Sequence, residues 1–118
     1  MRCYVSFVVR EIPHMMTSME FARFVSDVER AAVLATRDVR HTTGIPLEIV
    51  RTEQMIHVGL GVVWEFDHTH IANVREGHVR LVALMHETLT RYTRAVHGVD
   101  HVDILAIYQD DTPDTPET

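Results

Sequence analysis

Lysine is missing from this chain: all 11 basic residues are arginine. That removes Schiff-base chemistry, a catalytic lysine and the phosphate-binding P-loop, all of which use an ε-amine. The bias itself reads as GC-rich coding. Cysteine occurs once, as Cys3, so no internal disulfide can form. Cys3 lies in an alternating apolar segment, where a small buried hydrophobe is expected, and no electropositive neighbour activates it. No apolar run approaches the roughly 18–20 residues of a membrane helix. The short apolar stretch after Arg2 alternates and lacks a small-residue cleavage site, unlike a secretory signal. The expectation is therefore a cytoplasmic protein with no membrane partner. A basic surplus is also absent. The formal net charge is −6, and Asp110, Asp111, Asp114 and Glu117 carry four of those negatives, leaving the rest near −2. Nucleic-acid binders draw most of their affinity from phosphate neutralisation, so no nucleic-acid partner is expected.

What remains is 118 residues, 46% hydrophobic and 24% charged, the composition of one globular domain long enough to bury a core. Residues 1–109 are expected to form it. Residues 110–118 are acidic, contain two Thr-Pro steps and hold no apolar residue, so they read as a disordered tail.

The periodicity divides the domain. "RCYVSFVVR" alternates, with Cys3, Val5, Phe7 and Val9 on one face and Arg2, Tyr4, Ser6, Val8 and Arg10 on the other, as in a strand. "EIPHMM" follows as a loop, broken by Pro13. Residues 17–44 read as a long helix. Thr17 and Glu20 match a capping box, and Phe21, Phe24, Val25, Val28, Ala32, Ala35 and Val39 form the apolar stripe. Arg37 and Arg40 suit the negative end of the helix dipole, and Gly44 and Pro46 stop the helix. "PLEIV" reads as a short strand, "RTEQ" as a turn, and "MIHVGLGVVWEFD" as the longest strand. Its expected core face is Ile56, Val58, Leu60, Val62, Trp64 and Phe66. A second helix over about 70–97 repeats Ile71, Val74, His78, Leu81, Val82, Met85, Leu89, Tyr92 and Val96 at helical spacing, with Gly98 as its cap. "HVDILAIYQ" is the last strand.

This order is β-α-β-β-α-β. Right-handed crossovers then predict a ferredoxin-like α+β sandwich, an antiparallel four-stranded sheet in order 4-1-3-2 with both helices on one face. That arrangement sorts the nine histidines. Arg2, His41, Glu65, Asp67, His68, His70, Tyr108 and Asp110 gather at the near end of the sheet, where the first strand begins. Arg10, His14, Glu53, His57, His97, His101 and Asp103 gather at the far end. About ten strand residues, roughly 33 Å, separate His57 from Asp67, so one protomer cannot combine them in a single site.

At the near end Glu65 and Asp67 point to one face, roughly 6.6 Å apart. Carboxylates so spaced can act as an acid–base pair or bind a hard cation, and His68 or His70 can add nitrogen for zinc or manganese. Arg2, His41 and Tyr108 can orient a polar or anionic ligand there. The same Asp67 and Thr69 also suit a helix N-cap, which needs no ligand. At the far end, His57, His101 and Asp103 are expected on the open face near Arg10, as a proton shuttle or a surface pair. Helix pairs Arg23–Asp27, Glu76–Arg80 and Glu87–Arg91 read as solvated surface. "VGLGVVWEF" echoes the glycine-aromatic pattern of RNA-binding sheets, but its aromatics point to the core, so the stacking platform is missing.

The open face carries Val8, Val63, Leu105 and Ile107 beside Gly59 and Gly61, an apolar patch around bare backbone. A homo-oligomeric binding or assembly module, paired through these six residues, is the leading expectation. The alternatives are a small enzyme or ligand-binding protein using the near-end pocket, and an accessory protein docking on another macromolecule through its acidic tail. The sequence assigns no cofactor, substrate or reaction.

Overall fold

A computed structural model describes residues 2–11, 15–67, 69, 74–98 and 102–107. His14, His68, His70, Ile71, His101, Tyr108, Asp110 and the rest of the tail lie outside the described residues. The elements are β1 (Arg2–Glu11), α1 (Ser18–Thr43), β2 (Glu48–Met55), β3 (Gly59–Asp67), α2 (Val74–His97) and β4 (Val102–Ile107). The sheet runs β2-β3-β1-β4, and all its pairings are antiparallel. This is the expected α+β sandwich and strand order.

The local reasons are those read in the sequence. The Thr17 hydroxyl accepts from the Glu20 amide at 3.2 Å, and the Glu20 carboxylate accepts from the Thr17 amide at 2.9 Å, which closes the capping box. Gly44 ends α1 at φ 74° and Gly98 ends α2 at φ 84°, left-handed positions that glycine adopts at no steric cost. The whole predicted stripe of α1 is buried. It meets Val5, Phe7 and Val9 of β1 and Leu60, Val62, Trp64 and Phe66 of β3 in one core, with Leu81, Val82, Met85 and Leu89 of α2. Phe7 and Trp64 meet edge to face, ring centroids 6.0 Å apart. The buried indole N–H of Trp64 donates to Thr36 Oγ1 at 2.6 Å, and that hydroxyl donates to the Ala32 carbonyl at 2.7 Å. The core is thus sealed without stranding the indole donor.

The β2–β3 hairpin differs from the expected segmentation. "RTEQ" belongs to β2, and the turn is Ile56–His57–Val58. Met55 pairs with Gly59, and the Val58 amide donates to the Met55 carbonyl at 2.8 Å. His57 takes φ 65°, the left-handed step of a three-residue hairpin loop. Ile56, expected in the core, is 62% exposed. Alternation with period two runs unbroken from 55 to 67 in the sequence, so it does not mark where the chain turns. The glycines that resemble turn residues sit inside β3 instead. Gly59 is required there, because a Cβ would collide with the Val9 carbonyl oxygen and crowd Arg10.

Candidate functional site

Three regions hold the candidate residues. At the near end, β1–β3 pairing places Arg2 opposite Asp67 and Tyr4 opposite Glu65. An Arg2 guanidinium nitrogen lies 3.7 Å from Glu65 Oε1. β2–β3 pairing adds Glu48 directly opposite Glu65, a neighbour that depends on the hairpin register. Asp67 Oδ1 accepts from the Thr69 amide at 3.0 Å, the local turn in which an aspartate side chain bonds the backbone two residues on. The structure therefore brings together Arg2, Glu48, Glu65 and Asp67. His41 is exposed at the C-terminal turn of α1, and no hydrogen bond or ion pair ties it to them among the described residues. His68, His70 and Tyr108 lie outside the described residues. Among the described residues no group of three His, Cys, Asp or Glu side chains is placed to hold a metal ion. Cys3, packed against the core, has its thiol pushed up by burial, with the chain's N-terminus pulling the other way and Asp67 adding to the rise. That thiol is a poor nucleophile at neutral pH.

The far end is built differently from the expected open-face pair. Arg10 and Asp103 do meet there, at 3.1–3.2 Å across the β1–β4 pairing. His57 turns away from them, and its Nδ1–H donates to the Met16 carbonyl at 2.8 Å while the His57 carbonyl accepts from the Met16 amide at 2.9 Å. The turn is thereby buttoned onto the loop before α1. Beneath the sheet lies a group that the sequence reading missed. Asp27, read as half of a solvated pair with Arg23, is only 9% exposed. It accepts from His97 Nδ1 at 2.8 Å, while His97 Nε2 lies 3.8 Å from Glu11 Oε2 and its ring packs edge-on to Phe24. Arg23 remains 3.9 Å away. The signal available in the sequence was an aspartate one helical turn from both Phe24 and Ala31, on the buried side of α1.

The other α2 histidines have similar structural work. His78 Nε2 donates to the Tyr4 carbonyl at 3.0 Å and His86 Nε2 to the Ile104 carbonyl at 2.9 Å. A carbonyl only accepts, so each ring nitrogen carries the proton. Each ties the helix to a strand. An open groove of about 460 Å³ crosses α2 beside His86, Glu87, Thr90, Arg91 and Arg94. Arg91 does not pair with Glu87 as expected. It reaches Asp38 of α1 at 2.8 Å, where the Tyr92 hydroxyl also donates at 2.9 Å.

The open face is the third region. Register places Gly61, Val8 and Leu105 in one row across the sheet and Val63, Ser6 and Ile107 in the next. Leu105 is 38% and Ile107 41% exposed, while Val8, Val63 and Gly61 are half-buried among their neighbours. Gly59 is buried and serves the intrachain contact described above. The rim mixes signs, with Arg51 and Glu53 on β2, the Arg10–Asp103 pair at one end and Arg2, Glu48 and Glu65 at the other.

No family model matches the chain, and no curated protein matches it. A solved structure does: a de novo designed protein with ferredoxin fold, LFR1 1, determined by solution NMR. It superposes with a TM-score of 0.50 at 14% sequence identity, over 93% of this chain and 89% of that one. At that identity the likeness concerns the fold. No helix among the described residues is long and apolar enough to cross a membrane.

Proposed function

We propose that this protein is a homo-oligomeric binding or assembly module whose copies pair through the open sheet face. The observation that carries the reading is the row structure of that face. Val8, Val63, Leu105 and Ile107 lie side by side on adjacent strands, and no described element covers them. Clustered apolar side chains inside a polar rim mark interaction sites more often than scattered ones do. Among the described residues the rim carries both charge signs, with Arg2, Arg10 and Arg51 set among carboxylates, and such a mixed rim is compatible with a second copy as the partner. The near-end carboxylates and Arg2 belong to this rim.

Sedimentation velocity on the purified chain at micromolar concentration tests the reading. The expected result is a dimer or larger assembly that dissociates in Val63→Asp, where a carboxylate replaces one of the four apolar side chains of the open face. A monomeric wild-type chain, or a Val63→Asp variant that assembles unchanged, overturns it.

A further inference from the structure

We infer that Met15, Met19 and His57 form a binding site for a soft monovalent metal ion, copper(I), with the two thioether sulfurs and His57 Nε2 as its ligands. The inference does not depend on the open-face reading.

A metal-binding imidazole needs one nitrogen bare and the other held, because the held N–H fixes the tautomer and the ring orientation. His57 is in that state. Its Nδ1–H donates to the Met16 carbonyl at 2.8 Å, which leaves the lone pair on Nε2. Among the described residues no hydrogen bond or ion pair reaches that Nε2, and the residue is only half-buried. The histidines of α2 are committed otherwise. His78 and His86 use the Nε2 proton on strand carbonyls, and the Nε2 of His97 faces Glu11.

The methionines divide in the same way. Met16 is 3% exposed and Met85 fully buried, so both sulfurs are packed in the core. Met15 is 66% and Met19 85% exposed, which makes them the two most exposed large apolar side chains among the described residues. Neither adds to the core, and both present a thioether on a chain with three rotatable bonds. Their stretch is tied to the His57 ring on either side of Met19. Met16 precedes it and exchanges two hydrogen bonds with His57, while Phe21 follows it and meets the imidazole at 6.0 Å between centroids. Met15 adjoins Met16, and Met19 lies in the first turn of α1, two residues past the N-cap Thr17.

The donor set chooses the ion. Thioethers are soft and select copper(I), which imidazole also suits, whereas hard cations take oxygen ligands. A zinc site built from nitrogen, carboxylate or thiolate alone has no group of three such side chains among the described residues. The positive end of the α1 dipole opposes any cation near Met19, and it opposes a divalent ion more than a monovalent one.

Anaerobic titration with copper(I) against a chromophoric copper(I) chelator tests the site, in a Cys3→Ser background that removes the thiol. A single equivalent is expected to bind. Met15→Leu/Met19→Leu keeps the apolar bulk and is expected to weaken binding roughly tenfold or more, with unchanged circular dichroism and melting. His57→Asn keeps a residue suited to the left-handed turn but lacks the imidazole, and a similar loss is expected. Nitrogen NMR of the unsubstituted histidine reads the same point without a variant: the His57 Nε2 resonance is expected to shift on adding copper(I) while Nδ1 stays protonated. No binding, binding unchanged in the methionine variant, or an unmoved Nε2 resonance overturns the site. Sedimentation decides the open-face reading separately, so failure of one leaves the other standing.

Discussion

β1 belongs to two environments at once. Val5, Phe7 and Val9 point under the helices and are fully buried, whereas Ser6 and Val8 point the other way, where no described element lies above them. On the covered side, burial comes from a second layer, with Phe24, Val28 and Met85 reaching down to the strand side chains. On the open side, among the described residues, it comes from strands lying alongside, which suffices to enclose the small Ser6 and leaves Leu105 and Ile107 protruding. Shape therefore separates the faces more than polarity does. Both carry apolar side chains on their central strands, but only one meets its complement among the described residues.

The sharpest test of that contrast is a pair of neighbouring truncations. Phe7→Ala is expected to cost about 3–5 kcal/mol, because it removes an aromatic ring from a filled core beside Trp64. Val8→Ala, one residue on, is expected to cost about 1 kcal/mol by the area it removes from a half-buried site. Chemical denaturation at concentrations too low for assembly measures both, and equal losses would erase the distinction between the faces. A smaller effect separates the two glycines of β3. Gly59→Ala is expected to destabilise by roughly 1–3 kcal/mol through overpacking against β1. Gly61→Ala, where a methyl fits, is expected to be neutral or to gain about 0.5 kcal/mol. Thermal melting that ranks them in reverse would show that β1 crowds position 61 and not position 59. The least change is expected at the rim. Glu65→Gln removes one partner of an ion pair whose arginine is mostly exposed, for a loss below about 1 kcal/mol that shrinks further as salt is raised. A larger loss, insensitive to salt, would mean that the near end is buried in the working state.

Much of this contrast is legible from the residues. The capping box at Thr17 and Glu20, the stripe from Phe21 to Val39 and the stop at Gly44 are local patterns and appear where they were read. The strand order follows from two βαβ steps and one hairpin, since few topologies connect them. The limits of local reading show at three places. The 55–67 alternation concealed a turn at His57, because period two continues through a hairpin whose loop residues happen to alternate. Asp27 was assigned to solvent because its i,i+4 arginine offers a local partner, although His97 provides the closer one from 70 residues away. Glu48 was not placed beside Glu65, because that adjacency depends on a register shifted by the irregularity between Ile49 and Arg51. The candidate site suffered most from this, being built from residues on several strands.

The sequence by itself determined which side chains share a face of each strand or helix, because strand and helix periods are properties of the backbone and hold whatever it packs against. It also determined where both helices end, since glycine alone enters the left-handed cap without cost. Only the tertiary structure decided which faces meet and in what register. It buried Asp27 against His97, drew Arg91 to Asp38 instead of Glu87, and set Ser6, Gly61 and Leu105 on one uncovered surface. Those outcomes depend on contacts between residues distant in the chain, whose alignment is settled by packing the whole core at once.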